Sequence, residues 1–127
     1  MTHKILRMSS SLYDLSILSE MVYGDTDFMK ELVDTFIEFA PVDSAEMQEF
    51  AKNDDWEETS KKAHKLKSSI RTIGVTSLSD LILEIELNSK NQKKLGEIPR
   101  QIDEFSAVLK MVLEHLATED FENIPHE

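Results

Sequence analysis

The feature that most constrains the fold is the spacing of apolar residues, which recur three and four positions apart along nearly the whole chain. One such set lies within residues 63–73, and a longer one lies within residues 102–116. This spacing places apolar side chains on one side of an α-helix. Only three Gly and three Pro occur in 127 residues, too few for an all-β domain with many tight turns. The sequence therefore predicts an all-α fold.

Capping and breaking residues divide the first half of the chain into three predicted helices. The first covers residues 13–22. Asp25 is typical of an N-cap and starts the second helix, which we expect to end near Ala40. Pro41 is predicted to break the helix, or to restart it as a third helix over residues 43–52.

The second half begins with a clear start signal. Asp55 and Glu58 have the spacing of a capping box, with Asp in the usual Ser or Thr position, and the helix is expected to reach Ile73. Thr76 or Ser77 is then expected to cap the following helix, whose buried residues should be Leu78, Leu81, Ile82 and Ile85.

The remaining segments complete a single predicted domain. Residues 88–96 resemble a polar connection, and Pro99 suits the first turn of a last helix. We predict a leader over residues 1–11, a helical bundle over 12–116 and a flexible tail over 117–127. Long amphipathic helices with short connections favour an antiparallel four-helix bundle, with one or two short additional N-terminal helices.

Composition excludes several classes of function. With 14 basic and 25 acidic residues, the net charge of −11 argues against binding to nucleic acid or to anionic membranes. The absence of Cys excludes disulfides, thiolate zinc sites, iron–sulfur clusters and cysteine catalysis. No apolar stretch is long enough to span a bilayer, and the N-terminal residues lack a secretory signal. These features predict a cytoplasmic protein.

One stretch differs from the acidic remainder of the chain. Residues 59–79 contain no Asp or Glu, yet they contain five basic residues: Lys61, Lys62, Lys65, Lys67 and Arg71. His64 lies among them near the middle of a predicted helix. Residues three, four and seven positions away share its side of the helix, and among these are Ser60, Lys61, Lys67, Ser68 and Arg71.

This arrangement favours binding of an anion by side chains. Free backbone N–H groups exist only at helix ends, so an anion near His64 would need donors from side chains such as Lys67. A cationic setting should also disfavour the imidazolium and keep the ring neutral and nucleophilic. The alternative is a solvated basic surface with a histidine at its boundary.

The residues around His64 resemble the motif of the histidine-containing phosphotransfer (HPt) domain family. Residues 63–69 read Ala-His-Lys-Leu-Lys-Ser-Ser, and Gly74 follows ten positions after His64, where the family has a second Gly. The resemblance extends over about residues 12–116, and upstream it includes Gly24-Asp25 followed by Phe28, Glu31, Leu32 and Phe36. Ser68 stands where the family usually has Gly, and its small side chain should still let a partner approach.

The resemblance implies roles for individual residues. His64 would be the nucleophile and phosphoacceptor, and Lys67 would neutralise phosphoryl oxygens. Lys61 and Arg71 are secondary candidates for that role or for partner docking. Gly74 is interpreted as structural, as the cap of the His-bearing helix. Lys67 is expected to be exposed, so its replacement by Ala should change folding little.

The resemblance also implies partners. A receiver domain of a response regulator or of a hybrid sensor histidine kinase would donate a phosphoryl group, and a second receiver would accept it. The receiver would bring Mg²⁺, and we expect no cofactor of the chain itself and a monomeric state. A di-metal bundle needs Glu three positions before His. The residue three positions before His64 is Lys61, and the one three positions before His115 is Val112, so no metal site is predicted. The sequence contains no Gly-rich phosphate loop, so a kinase is not predicted. The alternative function is a non-catalytic adaptor that docks receivers without carrying phosphate.

Overall fold

A computed structural model describes residues 12–121, which form five α-helices joined by short connections and contain no strand. The helices are α1 (Leu15–Met21), α2 (Thr26–Lys52), α3 (Trp56–Ile73), α4 (Ser79–Asn91) and α5 (Ile98–Leu116). Two short 3₁₀ turns, Thr76–Leu78 and Leu95–Glu97, precede α4 and α5. The all-α prediction is confirmed.

Helices α2 to α5 enclose the core of a helical bundle. α3 packs against both α2 and α4, and α5 closes the arrangement by packing against α2 and α4. Because successive helices are joined by only a few residues, neighbours in this ring run antiparallel. The core between them is built from large apolar side chains, including Met29, Met47, Leu66, Ile82 and Phe105. Within residues 12–121, no helix is long and apolar enough to cross a membrane.

Side-chain caps fix the starts of α2 and α3 at the predicted residues. The Asp25 carboxylate accepts a hydrogen bond from the Phe28 N–H at 3.1 Å, and the Asp55 carboxylate accepts one from the Glu58 N–H at 3.2 Å. Such caps satisfy backbone donors that have no partner within the helix. Pro99 also lies in the first turn of α5, as the sequence predicts.

The predicted break at Pro41 is wrong, because α2 continues through this residue as one helix of 27 residues. A proline inside a helix removes a backbone hydrogen bond and costs about 3 kcal/mol. Buried residues on both sides of Pro41 offset that loss, since Phe36 and Ala40 before it and Ser44 and Met47 after it face the same core.

The boundaries of α4 also differ from those predicted. Neither Thr76 nor Ser77 caps the helix; it starts at Ser79, and Ser77 Oγ instead donates to the Leu12 carbonyl at 2.8 Å. The helix then runs to Asn91, through the first part of the predicted connection. Ser89 in this part is buried. Its burial is tolerated because the hydroxyl donates a hydrogen bond of 2.7 Å to the Ile85 carbonyl within the helix.

Two residues that follow α5 contact the bundle, within the tail over residues 117–127 that was predicted to be flexible. Phe121 is buried in the core, and the Glu119 carboxylate accepts a hydrogen bond of 2.9 Å from the Tyr13 hydroxyl. Burial of Tyr13, together with this bond and the charge of Glu119, raises the pKa of the phenol. The predicted leader over residues 1–11 and the rest of the tail lie outside the described residues.

Candidate functional site

The His64 side chain is presented to solvent near the middle of α3, and 69% of it is exposed. Ala63 and Leu66 on either side are buried and hold this part of α3 against the bundle. The imidazole is therefore carried on a rigid helix, which fixes its position more firmly than a loop would.

Glu86 on α4 holds one nitrogen of the imidazole. Its Oε2 atom lies 2.7 Å from His64 Nδ1, and its Oε1 atom lies 2.7 Å from the Nζ atom of Lys67. Only 10% of the Glu86 side chain is exposed. His64 and Lys67, which are neighbours on α3, thus meet Glu86 from a distant part of the chain between α3 and α4.

The charge of Glu86 is maintained by its two partners. Burial acts to raise the pKa of this carboxyl, but the hydrogen bonds and charges of Lys67 and His64 outweigh burial, and the pKa lies below its ordinary value. Oε1 is fully buried, and the contact of 2.7 Å with Lys67 Nζ compensates its charge. An ionised Glu86 can accept a hydrogen bond from Nδ1–H of a neutral imidazole, which leaves the Nε2 lone pair available.

Lys67 is not the exposed residue that we expected from the sequence. Its side chain is only 15% exposed, because it crosses to α4 and pairs with Glu86. The structure therefore changes the expectation for its replacement: we now expect loss of Lys67 to lower stability, since it leaves a buried carboxylate without its cation.

Two further lysines of the basic stretch are bound by carboxylates of α2. Lys62 and Lys65 each place Nζ 3.2 Å from Oδ1 of Asp43, which is almost completely buried. The hydrogen bond to Glu46 is the main cause that raises the pKa of Lys62, and the bond to Asp43 adds to it. These contacts join α2 to α3 and neutralise charge that the sequence alone presents as available.

Lys61 and Arg71 lie at the surface of α3. Lys61 pairs with Glu58 at 3.2 Å on the same helix, and this hydrogen bond raises its pKa. Arg71 is exposed and has no ion-pair partner within residues 12–121. The basic stretch thus consists mainly of internal ion pairs, and Arg71 is its one cation without a partner in the described chain.

A shallow groove between α3 and α4 surrounds the imidazole. His64 and Glu86 line it together with Glu57, Ser60, Lys61, Ser89, Lys90 and Gln92. Ser60 and Lys61, which were predicted to share a surface with His64, therefore do so.

Ser68 lies in a different groove, on the α2 side of α3. Its neighbours there include Leu32 and Phe39 of α2 and Thr72 of α3. Ser68 is exposed, so the position that usually carries Gly in the motif remains open to solvent.

Gly74 ends α3 in a left-handed conformation with φ of 85°. A Cβ atom at this position would lie 2.2 Å from the carbonyl oxygen of Asp14, so a side chain would displace the N-terminal segment. The Gly74 carbonyl in turn accepts a hydrogen bond of 2.7 Å from the Asp14 N–H. The glycine thus supports both the turn into α4 and the packing of the chain before α1.

Sequence reasoning did not assign a role to Glu86. The position of Glu86 in the sequence nevertheless carries a usable signal. Glu86 occupies the buried side of α4 with Ile82 and Ile85, where a carboxylate requires a partner.

A helical bundle that presents an exposed histidine whose imidazole is held by a buried carboxylate has the architecture of a histidine phosphotransfer domain. The family model described as Hpt domain matches residues 31–119, and the chain belongs to this family. The match includes all the residues of the site around His64 and leaves α1 outside. No curated protein and no solved structure matches the chain. Domains of this family are phosphotransfer carriers in two-component signalling and interact with receiver domains.

Proposed function

We propose that this protein is a phosphorelay carrier in which His64 accepts a phosphoryl group from a receiver-domain aspartate and passes it to another receiver. The observation that carries the proposal is the exposed imidazole whose Nδ1 atom lies 2.7 Å from buried Glu86. Family membership supports this chemistry, and the retained histidine favours a carrier over a docking adaptor.

Glu86 is proposed to select the reacting nitrogen. In the neutral ring, Nδ1–H donates to Glu86 and the Nε2 lone pair attacks phosphorus. The P–Nε2 bond forms as the P–O bond of the aspartyl phosphate breaks, and the aspartate leaves with the electron pair. The ring becomes an imidazolium whose Nδ1 proton remains on the hydrogen bond to Glu86, and the carboxylate stabilises this charge. We expect the receiver to supply Mg²⁺, so this chain contributes mainly a positioned nucleophile.

The groove between α2 and α3 is the proposed docking surface for the receiver. Phe39 is half exposed there, Leu32 is partly buried, and both lie beside the small polar side chains of Ser68 and Thr72. Small residues let a partner approach closely, and exposed aromatic side chains are typical of interface centres. Arg71, one turn after Ser68 on α3, offers a cation to the acidic active site of a receiver.

We place this carrier in the cytoplasm, as a monomer acting between a hybrid sensor histidine kinase and response regulators. The acidic net charge supports this placement, because it disfavours association with nucleic acid and anionic membranes.

The test is phosphotransfer from purified phosphorylated receiver domains to the unsubstituted protein and to the His64→Gln variant. We expect acid-labile, base-stable label on the unsubstituted protein only. His115→Gln is the matched control, since His115 is also an exposed helical histidine. Label on His64→Gln would refute the assignment of the phosphoacceptor. Receiver binding without label on either protein would establish the adaptor function instead.

A further inference from the structure

Lys67, the residue to which the family resemblance gives contact with the phosphoryl group, is already paired with a carboxylate in this protein. Lys67 Nζ lies 2.7 Å from Glu86 Oε1, and that oxygen is fully buried. If Lys67 moved to a phosphoryl group, a buried carboxylate would lose its compensating charge, which is costly. The phosphoryl oxygens therefore need other donors.

The backbone of α3 does not supply those donors. His64 lies in the interior of an 18-residue helix, where N–H groups are hydrogen-bonded to carbonyls of the preceding turn. Donors must come from side chains of the groove that contains His64.

Two side chains of this groove combine the required chemistry with the absence of an internal partner. Lys90 is exposed and has no carboxylate partner within residues 12–121, and the partly buried Ser60 hydroxyl has no hydrogen bond within the same range. Ser60 lies one turn before His64 on α3, and Lys90 lies one turn after Glu86 on α4. Ser60 is thus a direct helical neighbour of His64, Lys90 is a direct helical neighbour of Glu86, and both side chains line the groove that contains the imidazole.

We propose that the groove between α3 and α4 is the binding site for the transferred phosphoryl group, with Lys90 and the Ser60 hydroxyl as donors to its oxygens. The ligand is the dianionic phosphoryl group on Nε2 of His64, so this inference rests on the proposed function. Lys67 then acts as a positioning residue that holds Glu86. Glu57 lines the same groove and opposes the bound dianion with its negative charge.

The proposal predicts how fast phospho-His64 hydrolyses. The transition state of phosphoryl transfer is loose, and the phosphoryl oxygens lose negative charge as the P–N bond breaks. A cation in contact with these oxygens therefore stabilises the phosphorylated protein more than the transition state. Loss of Lys90 should accelerate hydrolysis, whereas loss of Glu57 should slow it.

The experiment labels His64 chemically with phosphoramidate, which needs no receiver, and follows decay of the phosphohistidine signal by ³¹P NMR. We expect Lys90→Gln to decay about two- to fivefold faster than the unsubstituted protein, the range for an exposed ion pair. Ser60→Ala should decay faster to a smaller extent, and Glu57→Gln more slowly. Lys110→Gln is the matched control, because Lys110 is another exposed helical lysine without a carboxylate partner in the described chain. Its decay should be unchanged.

Equal decay of Lys90→Gln, Lys110→Gln and the unsubstituted protein would overturn the inference. Faster decay in Lys67→Met with no change in Lys90→Gln would also overturn it and return the phosphoryl contact to Lys67. These outcomes are separate from failure of the proposed function, which would appear as absence of label from every receiver tested while phosphoramidate still modifies His64.

Discussion

Replacing Lys67 with methionine keeps the length of the side chain but removes the cation that contacts Glu86 Oε1. Removing one partner of a fully buried ion pair costs about 3–5 kcal/mol. The two side chains here retain 15% and 10% exposure, so solvent recovers part of that cost. We expect the free energy of unfolding to fall by about 2 kcal/mol at pH 7, with a urea slope of about 1.5 kcal/mol per molar and a midpoint lowered by about 1.3 M.

The pH dependence distinguishes this ion pair from a simple packing contact. In the unsubstituted protein the pKa of Glu86 lies below its ordinary value. The ion pair therefore contributes its full stabilisation at pH values above the ordinary pKa, and this stabilisation is lost as the pH falls through the lowered pKa of the folded protein. In Lys67→Met, burial is opposed only by His64, and we expect the pKa of Glu86 to rise. Folding of the variant then favours a protonated carboxyl. The difference in stability should therefore be large at pH 7 and small at pH 4.

The assay is urea unfolding followed by circular dichroism at both pH values. Repeating the comparison in a His64→Gln background removes the contribution of the imidazole to the pH dependence of the unfolding free energy. Lys61→Met is the control, because Lys61 is exposed and pairs within its own helix, and its midpoint should not change. If Lys67→Met lowers the free energy of unfolding equally at pH 4 and pH 7, the electrostatic argument is refuted. Restoration of stability by Glu86→Gln in the Lys67→Met background would support it.

Three other predictions use separate parts of the structure. Gly74→Ala should lower stability by at least about 2 kcal/mol in thermal unfolding, because φ is 85° and the new Cβ meets the Asp14 carbonyl, whereas Gly96→Ala adds an atom in open space and should be neutral. Ser68→Gln should sharply reduce labelling by a receiver but not by phosphoramidate; a parallel loss of both would show that Ser68 acts on the imidazole itself. Arg71→Gln should slow receiver association at 50 mM salt but not at 500 mM salt in stopped-flow measurements, and an equal effect at both would exclude electrostatic steering.

The fold was largely predictable because its signals are local. Asp25 and Asp55 mark helix starts through contacts with residues three positions away, and apolar spacing identifies the buried side of each helix. Pro41 shows where local reasoning fails. Its helix-breaking tendency is overcome by core contacts on both sides, and these depend on α3 and α5, which are distant in sequence.

The site was predictable only in part for the same reason. His64 and its neighbours form a compact motif, but the charge state of that motif depends on residues elsewhere in the chain. Asp43 lies about 20 positions before Lys62 and Lys65, and Glu86 lies a similar distance after Lys67. A basic stretch read from the sequence as a positive surface is therefore mostly a set of contacts that join α3 to its two neighbours.

The hydrogen bond between Tyr13 and Glu119 has a consequence for how this domain can be connected to others. It joins residues near the two ends of the described chain through side-chain atoms that lie 2.9 Å apart. Asp14 bonds to Gly74, ten residues beyond His64, which corresponds to about 15 Å along α3. A short peptide could therefore join the two ends in a circular permutant opened between α4 and α5. The same geometry would let the bundle be inserted into a loop of another protein with the imidazole still accessible.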